Sequence, residues 1–174
     1  MTEPAAAQAG EPAGAGCIER ECSAEPQTIA LAAAVARTWQ PDAGRAQRVY
    51  LRGPLGSGKT TWARAALREL GVTRAVRSPT YSLLEIYELP TRSVLHADLC
   101  RLAAADDLAP LGLEDYDTGH TLWLVEWPER GEGRLPCPDL EVELAIAGEG
   151  RRVRLRAASP TGHRWLARAI AEGA

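Results

Sequence analysis

Apolar and polar positions along this chain fall into segments of two periods. From Thr28 to Trp39 the residues Ile29, Leu31, Ala32, Val35 and Ala36 recur at helical spacing, and Pro41 closes the segment. Arg48-Val49-Tyr50-Leu51-Arg52 is a short run of strand type. Thr60 to Leu70 returns to helical spacing before Gly71 stops it. Tyr81 to Leu89 and Arg92 to Leu99 read as two strands joined at Pro90-Thr91, and Ala105 to Leu111 as a short helix or loop. Thr121 to Val125 is unbroken and apolar, as in a strand covered on both faces, and it ends in Glu126. Leu140 to Ile146 alternates Glu with apolar residues. That pattern predicts a half-exposed strand near a sheet edge, turned back at Gly148-Glu149-Gly150 into Val153 to Ala157. Pro160 opens a closing helix through Ile170. Residues 1–20 are rich in Ala, Gly, Pro and Glu and have no period. The organisation read from this is a disordered extension over 1–22 and one domain over 23–174. Strands and helices interleave as an α/β fold, with a mixed sheet between helices and the ligand at the carboxyl ends of its strands.

Between the first strand and the second helix stands Gly53-Pro54-Leu55-Gly56-Ser57-Gly58-Lys59-Thr60, which fits G-x-x-x-x-G-K-[ST], the phosphate-binding P-loop. Strand, glycine-rich turn and helix is the context this motif needs. Backbone N–H groups at a helix N-terminus then meet the phosphates, where the macrodipole favours anions. The fold class sharpens to a P-loop NTPase-like three-layer sandwich with a mixed central sheet. The chain has nineteen arginines and one lysine, and that lysine is Lys59. An ammonium on a thin stem reaches phosphate oxygens as a point charge where a planar guanidinium is too wide. The same count excludes a Ras-like guanine reader, which needs the lysine of N-K-x-D. Adenine is therefore the expected base.

Composition sets further bounds. The net charge of −3 gives no general argument for nucleic acid or an anionic membrane. Residues 1–25 sum to −4 and residues 150–174 to +5, so the basic end is read as a solvated face or a contact for nucleotide, RNA or an acidic partner. Cys17, Cys22, Cys100 and Cys137 form no C-x-x-C pair and have no His at metal-ligand spacing, which suits free thiols in a reducing compartment. No apolar run approaches the roughly 18 residues of a membrane helix, and no signal peptide pattern opens the chain. The expectation is a cytoplasmic protein with no membrane partner.

Candidate chemistry gathers at strand ends. Asp98 follows Val94-Leu95-His96-Ala97, and Glu126 follows Leu122 to Val125. A P-loop enzyme needs a carboxylate there to hold Mg²⁺ beside the Thr60 hydroxyl, and a second can orient water. Each acid alone also reads as a turn or cap residue. Thr80, in Ser78-Pro79-Thr80-Tyr81, lies where many P-loop proteins sense the γ-phosphate, or it is part of a Ser-Pro turn. Trp127 is a stacking or partner contact, or packing. His96, His120 and His163 share no site-like spacing and are read as structural. Arg151, Arg152, Arg154 and Arg156 lie along one strand; one of them could reach a phosphate or the base, and the others face solvent.

In order along the chain these pieces resemble the TsaE family, the small ATPases of bacterial N6-threonylcarbamoyladenosine tRNA modification. The matching pieces are Ser23-x-Glu25-x-x-Thr28, Gly53 to Thr61, Ser78-Pro79-Thr80-Tyr81, His96-x-Asp98-Leu99-x-Arg101-Leu102, Leu111-Gly112-Leu113-x-Asp115-Tyr116, Glu126-Trp127-Pro128 with Gly131-x-Gly133-x-Leu135-Pro136, and Gly150-Arg151. The P-loop is shared very widely; the S-P-T-Y, D-L-x-R and E-W-P set at this spacing is far more specific. The resemblance implies ATP and Mg²⁺ as cofactors. It implies Gly53, Leu55, Gly56, Ser57, Gly58, Lys59, Thr60 and Thr61 around the phosphates, and Thr28 near the base or ribose. Thr60 and Glu126 would hold the metal, Asp98 would assist metal or water, and Thr80 would lie in the switch segment. Trp127 would sit at the edge of the site and Arg151 near the nucleotide. Lys59, Asp98, Glu126 and Thr80 would carry catalysis. It also implies TsaD and TsaB as partners, with any tRNA contact indirect. Cys100 stands where the family usually has Tyr. A P-loop small-molecule kinase gripping its acceptor through Asp98 and Arg101, or a nucleotide-gated binding module, are the alternative readings.

Overall fold

The computed structural model describes residues 16–41, 44–79 and 81–174. One sheet of seven strands runs through the molecule: β1 (Cys17–Cys22), β2 (Gln47–Arg52), β3 (Leu84–Leu89), β4 (Arg92–Asp98), β5 (Thr121–Glu126), β6 (Leu140–Ala147) and β7 (Gly150–Ala157). Their order is β1-β7-β6-β2-β5-β4-β3. β6, β2, β5 and β4 are parallel neighbours, and β3, β7 and β1 join antiparallel at the two sides, so the sheet is mixed. The helices are α1 (Glu25–Arg37), α2 (Lys59–Glu69) and α3 (Pro160–Ala171).

All three helices pack on one face. Alternation along β2, β5, β6 and β7 turns Val49, Leu51, Leu122, Leu124, Leu140, Val142, Val153 and Leu155 toward them, where they meet Leu31, Val35, Trp62, Leu67 and Trp165. Trp165 satisfies its indole N–H on Val35 O at 2.9 Å. The opposite face of β2, β4 and β5 presents Tyr50, Leu95, Ala97, Trp123 and Val125. Here the third layer is made of short 3₁₀ segments, Ala105–Leu111, Leu113–Tyr116 and Pro128–Gly131, rather than α-helices. Local chemistry fixes the helix starts. Ser159 caps α3 by accepting from Gly162 N at 3.0 Å. Ahead of α1, the Gln27 side-chain oxygen accepts from the Ser23 hydroxyl at 2.9 Å and Ala24 N at 3.3 Å.

Two expectations are corrected. Order does not begin at Ser23: β1 occupies Cys17–Cys22, inside the stretch assigned to a disordered extension. Its partner lies more than a hundred residues away, pairing Cys17 with Arg156 through to Cys22 with Arg151, so local composition carries no trace of it. Residues 1–15 lie outside the described residues. Secondly, β6 is not near an edge, since β2 and β7 flank it. Its alternation has another cause: helices cover one face of the β1-β7-β6 wing, and the other is open. There Glu141 meets Arg156 and Arg52, Arg154 meets Glu19 at 3.2 Å, and Arg152 meets Glu21 at 2.7 Å. Among the described residues, no helix is long and apolar enough to cross a membrane.

Candidate active site

The parallel strands β2, β5 and β4 end level with one another. Leu51 pairs with Glu126, and Glu126 with Asp98, so the P-loop and both acids lie along one sheet border. A cleft of about 440 Å³ opens there, lined by Leu55, Gly56, Gly58, Lys59, Thr60, Thr61, Ser78, Asp98, Cys100, Arg101, Glu126 and Trp127.

The loop that leaves β2 demands its glycines. Gly53 has φ of +136°, and a Cβ there would lie 2.1 Å from Leu144 O. Gly58, with φ of +106°, is the N-cap of α2. Lys59 begins the helix and folds back: its ammonium donates to Gly53 O at 2.7 Å and Pro54 O at 2.9 Å. The ammonium also lies 3.8 Å from the centre of the Trp127 ring. Burial pushes the Lys59 ammonium below the ordinary lysine range, and Glu126, Glu129 and Asp98 oppose that shift. Trp127 sits at φ of +57°, a left-handed conformation unusual for an aromatic residue, and that turn carries the ring to Lys59.

Glu126 is the centre of the site. The alternation that sends Leu122 and Leu124 to the helical face sends Glu126 there too, under the first turn of α2. Its Oε2 accepts from the Thr60 hydroxyl at 2.8 Å, and its Oε1 lies 2.9 Å from His96 Nε2. Glu126 is 1% exposed and His96 fully buried. Among the described residues His96 Nδ1 has no partner, so the assignment that satisfies the pair places the proton on Nε2, donating to Glu126. Asp98, two residues beyond His96 on the same face of β4, accepts from Cys100 N at 3.1 Å and from the Ser78 hydroxyl.

The remaining expected residues are distributed as follows. Leu55 and Thr61 line the cleft, and Leu55 is 80% exposed. Ser57 is fully buried in the loop. Thr28 is buried in α1, outside the cleft lining, and its hydroxyl has no partner among the described residues. Arg151 bonds the loop backbone at Gly56 O and Ser57 O. Thr80 lies outside the described residues. His96 reads as structural in the sequence, yet it contacts the central carboxylate. The signal that could have found it is its place two residues before Asp98 on one strand face.

A P-loop beside a buried carboxylate is common to many proteins, and what distinguishes this one lies in the whole chain. A family model described as threonylcarbamoyl adenosine biosynthesis protein TsaE matches residues 22–154. The chain belongs to the TsaE family. A TsaE named for tRNA threonylcarbamoyladenosine biosynthesis in Haemophilus influenzae is 39% identical over 118 residues, covering 68% of this chain and 75% of that one. The Rickettsia bellii TsaE is 35% identical over 132 residues, 75% of this chain and 88% of its own. The TsaE of Bacillus subtilis is 36% identical over 102 residues, 59% and 63% of the two chains. The crystal structure of Bacillus subtilis YdiB superposes with a TM-score of 0.74 at 23% identity, over 91% of this chain and 97% of that one. That likeness shows the α/β P-loop NTPase-like fold. In this TsaE member the position after Asp98-Leu99 is Cys100, a half-buried free thiol on the cleft wall.

Proposed function

We propose that this chain is an ATPase that binds and hydrolyses ATP with Mg²⁺ in support of the TsaB–TsaD machinery that threonylcarbamoylates adenosine 37 of tRNA. The observation that carries the reading is the 2.8 Å contact between Thr60, the last residue of the P-loop motif, and the buried Glu126. A hydroxyl and a carboxylate held this close, with Asp98 beside them, form a hard oxygen donor set. Such a set suits a small divalent cation that keeps waters and phosphate oxygens as its other ligands. Among the described residues no three His, Cys, Asp or Glu side chains gather as an all-protein metal cage, in keeping with that mode. Thr60 and Glu126 would hold Mg²⁺, which neutralises charge on the β- and γ-phosphate oxygens when bound.

The chain's own groups supply the rest. The Lys59 ammonium would exchange carbonyl contacts for phosphate oxygens and offset charge that develops as the bond between the γ-phosphorus and ADP breaks. The backbone N–H groups at the start of α2 would bind the same phosphates. Asp98, fixed by Ser78 and the Cys100 amide, would accept a hydrogen bond from the attacking water and orient it. Trp127, held over Lys59, would shield the ammonium from solvent.

Phosphate release by the purified protein, alone and with the TsaB–TsaD pair from the same source, tests this. Hydrolysis stimulated by the pair is expected. Transfer of the γ-phosphate to a small acceptor instead would replace the reading with a kinase.

A further inference from the structure

Arg151 stands at the start of β7, behind the P-loop. Its Nε donates to Ser57 O at 2.9 Å, its Nη2 to Gly56 O at 2.9 Å and its Nη1 to Gly150 O at 2.7 Å. The fork of the guanidinium is thus filled by backbone carbonyls, two of them from consecutive residues of the phosphate-binding loop. Among the described residues none of β6 or β7 lines the cleft, yet this wing meets the loop elsewhere too. Leu144 O leaves no room for a Cβ on Gly53, and the Leu144 side chain lies against Gly58.

In a trans peptide the C=O and the N–H point to opposite sides. Holding Gly56 C=O outward therefore directs the Ser57 N–H the other way, across the loop, where it meets Pro54 O at 3.2 Å. Holding Ser57 C=O outward directs the Gly58 N–H in the same manner. Gly56 and Gly58 both sit at positive φ, at +75° and +106°, and glycine accepts either orientation of its neighbouring peptide planes at little cost. The loop sequence alone leaves both orientations open. A carbonyl turned inward would face phosphate oxygens and repel them.

We propose that Arg151 is a positioning residue of the P-loop. It grips the outer carbonyls of Gly56 and Ser57, which keeps the Ser57 N–H on Pro54 O and turns the Gly58 N–H to the inner, phosphate-binding side of the loop. This rests on the nucleotide-binding reading above and gives Arg151 a task that needs no contact with the nucleotide. A lysine in its place would not be equivalent. One ammonium is a compact charge, whereas two carbonyls, each 2.9 Å from a different guanidinium nitrogen, call for a planar fork.

The test compares the full chain with Arg151→Met and Arg151→Lys, with a melting curve for each to establish folding. In the nucleotide-free proteins, amide hydrogen exchange is measured over the peptide that spans Pro54 to Thr60. Binding of ADP and of inorganic tripolyphosphate is measured by calorimetry. Arg151→Met is expected to speed exchange in the loop and to weaken ADP and tripolyphosphate alike by about tenfold, the scale of losing charge-assisted hydrogen bonds. Arg151→Lys is expected to fall between. Unchanged exchange in a folded Arg151→Met protein would overturn the proposal. So would loss of ADP affinity with tripolyphosphate unaffected, which would place Arg151 on the nucleoside. If the unaltered protein bound neither ligand, the nucleotide reading would fail, and the exchange data would still decide whether Arg151 holds the loop.

Discussion

His96 Nε2 lies 2.9 Å from Glu126 Oε1, and neither side chain has meaningful contact with solvent. Thr60 holds the other oxygen, so both oxygens of the carboxylate have a partner at the mouth of the loop. His96→Leu removes the donor and leaves Glu126 buried with half its partners. The expected result is a Mg²⁺ requirement raised about tenfold, from the loss of one hydrogen bond to a charged group. His96→Gln, which can return an N–H, should recover much of it. Hydrolysis and ADP calorimetry across a magnesium series measure this; an identical magnesium midpoint for His96→Leu would remove His96 from any positioning role.

Lys59→Arg keeps the charge and changes the shape. The ammonium fits between Gly53 O, Pro54 O and the Trp127 ring, a space set by contacts of 2.7, 2.9 and 3.8 Å. A planar guanidinium cannot enter without displacing Trp127 from its turn. ATP affinity or turnover should drop by roughly a hundredfold or more while the fold survives. Near-normal ATP binding and hydrolysis in this variant would show that charge alone suffices.

Gly53→Ala should fail for backbone reasons. The conformation at φ of +136° is hostile to a side chain, and the added Cβ would strike Leu144 O, a main-chain atom of the interior strand β6. A cost of at least about 2 kcal/mol in unfolding free energy is expected from strain and overlap together. Gly133→Ala, also at positive φ but with open space around it, is the comparison that isolates the overlap. Equal denaturant midpoints for the two would contradict the account.

Asp139 links acid stability to the fold. Burial alone would raise its carboxyl; hydrogen bonds from Arg45, Ser159 and the Arg48 amide outweigh that and hold it below the ordinary range. A carboxyl lowered in the folded state stabilises fully above its unfolded value of about 3.9, and that stability is lost as pH falls through the lower folded value. Denaturation midpoints should therefore decline below about pH 4. Asp139→Asn should be less stable at neutral pH by roughly 2–3 kcal/mol, below the cost of breaking a fully buried pair because the Arg45 side chain is 42% exposed. It should also show a shallower acid slope. The same acid slope in both proteins would assign the decline to other carboxylates.

Much of this architecture is legible in the sequence because its determinants are local. Gly71 follows the cap of α2, the unbroken run Thr121 to Val125 lies in the interior strand β5, and the spacing of Gly53, Gly58 and Lys59 fixes the loop, whereas α1 stops at Arg37, ahead of Pro41. Asp98 and Glu126 follow from strand ends that must meet the motif. What escapes reading is non-local. β1 exists only because β7 offers it a ladder, and β6 alternates because a distant stretch of helix covers just one of its faces. His96 resembles any core histidine until β4 is placed in register with β5, which brings Leu124 beside it and Glu126 into reach. Arg151 looks like its exposed neighbours until the hairpin brings it beneath the loop.

The strand β1 has a role beyond completing the sheet. Without it β7 would end the array as a long row of unpaired main-chain groups, an invitation to another chain. β1 is a poorer template, because Glu19, Arg20 and Glu21 are exposed along it and two of them are already bridged to Arg152 and Arg154. A shortened protein beginning at Ser23 would keep every residue of the cleft and lose this guard. Its failure would be in solution behaviour, through self-association along β7, before any failure in chemistry.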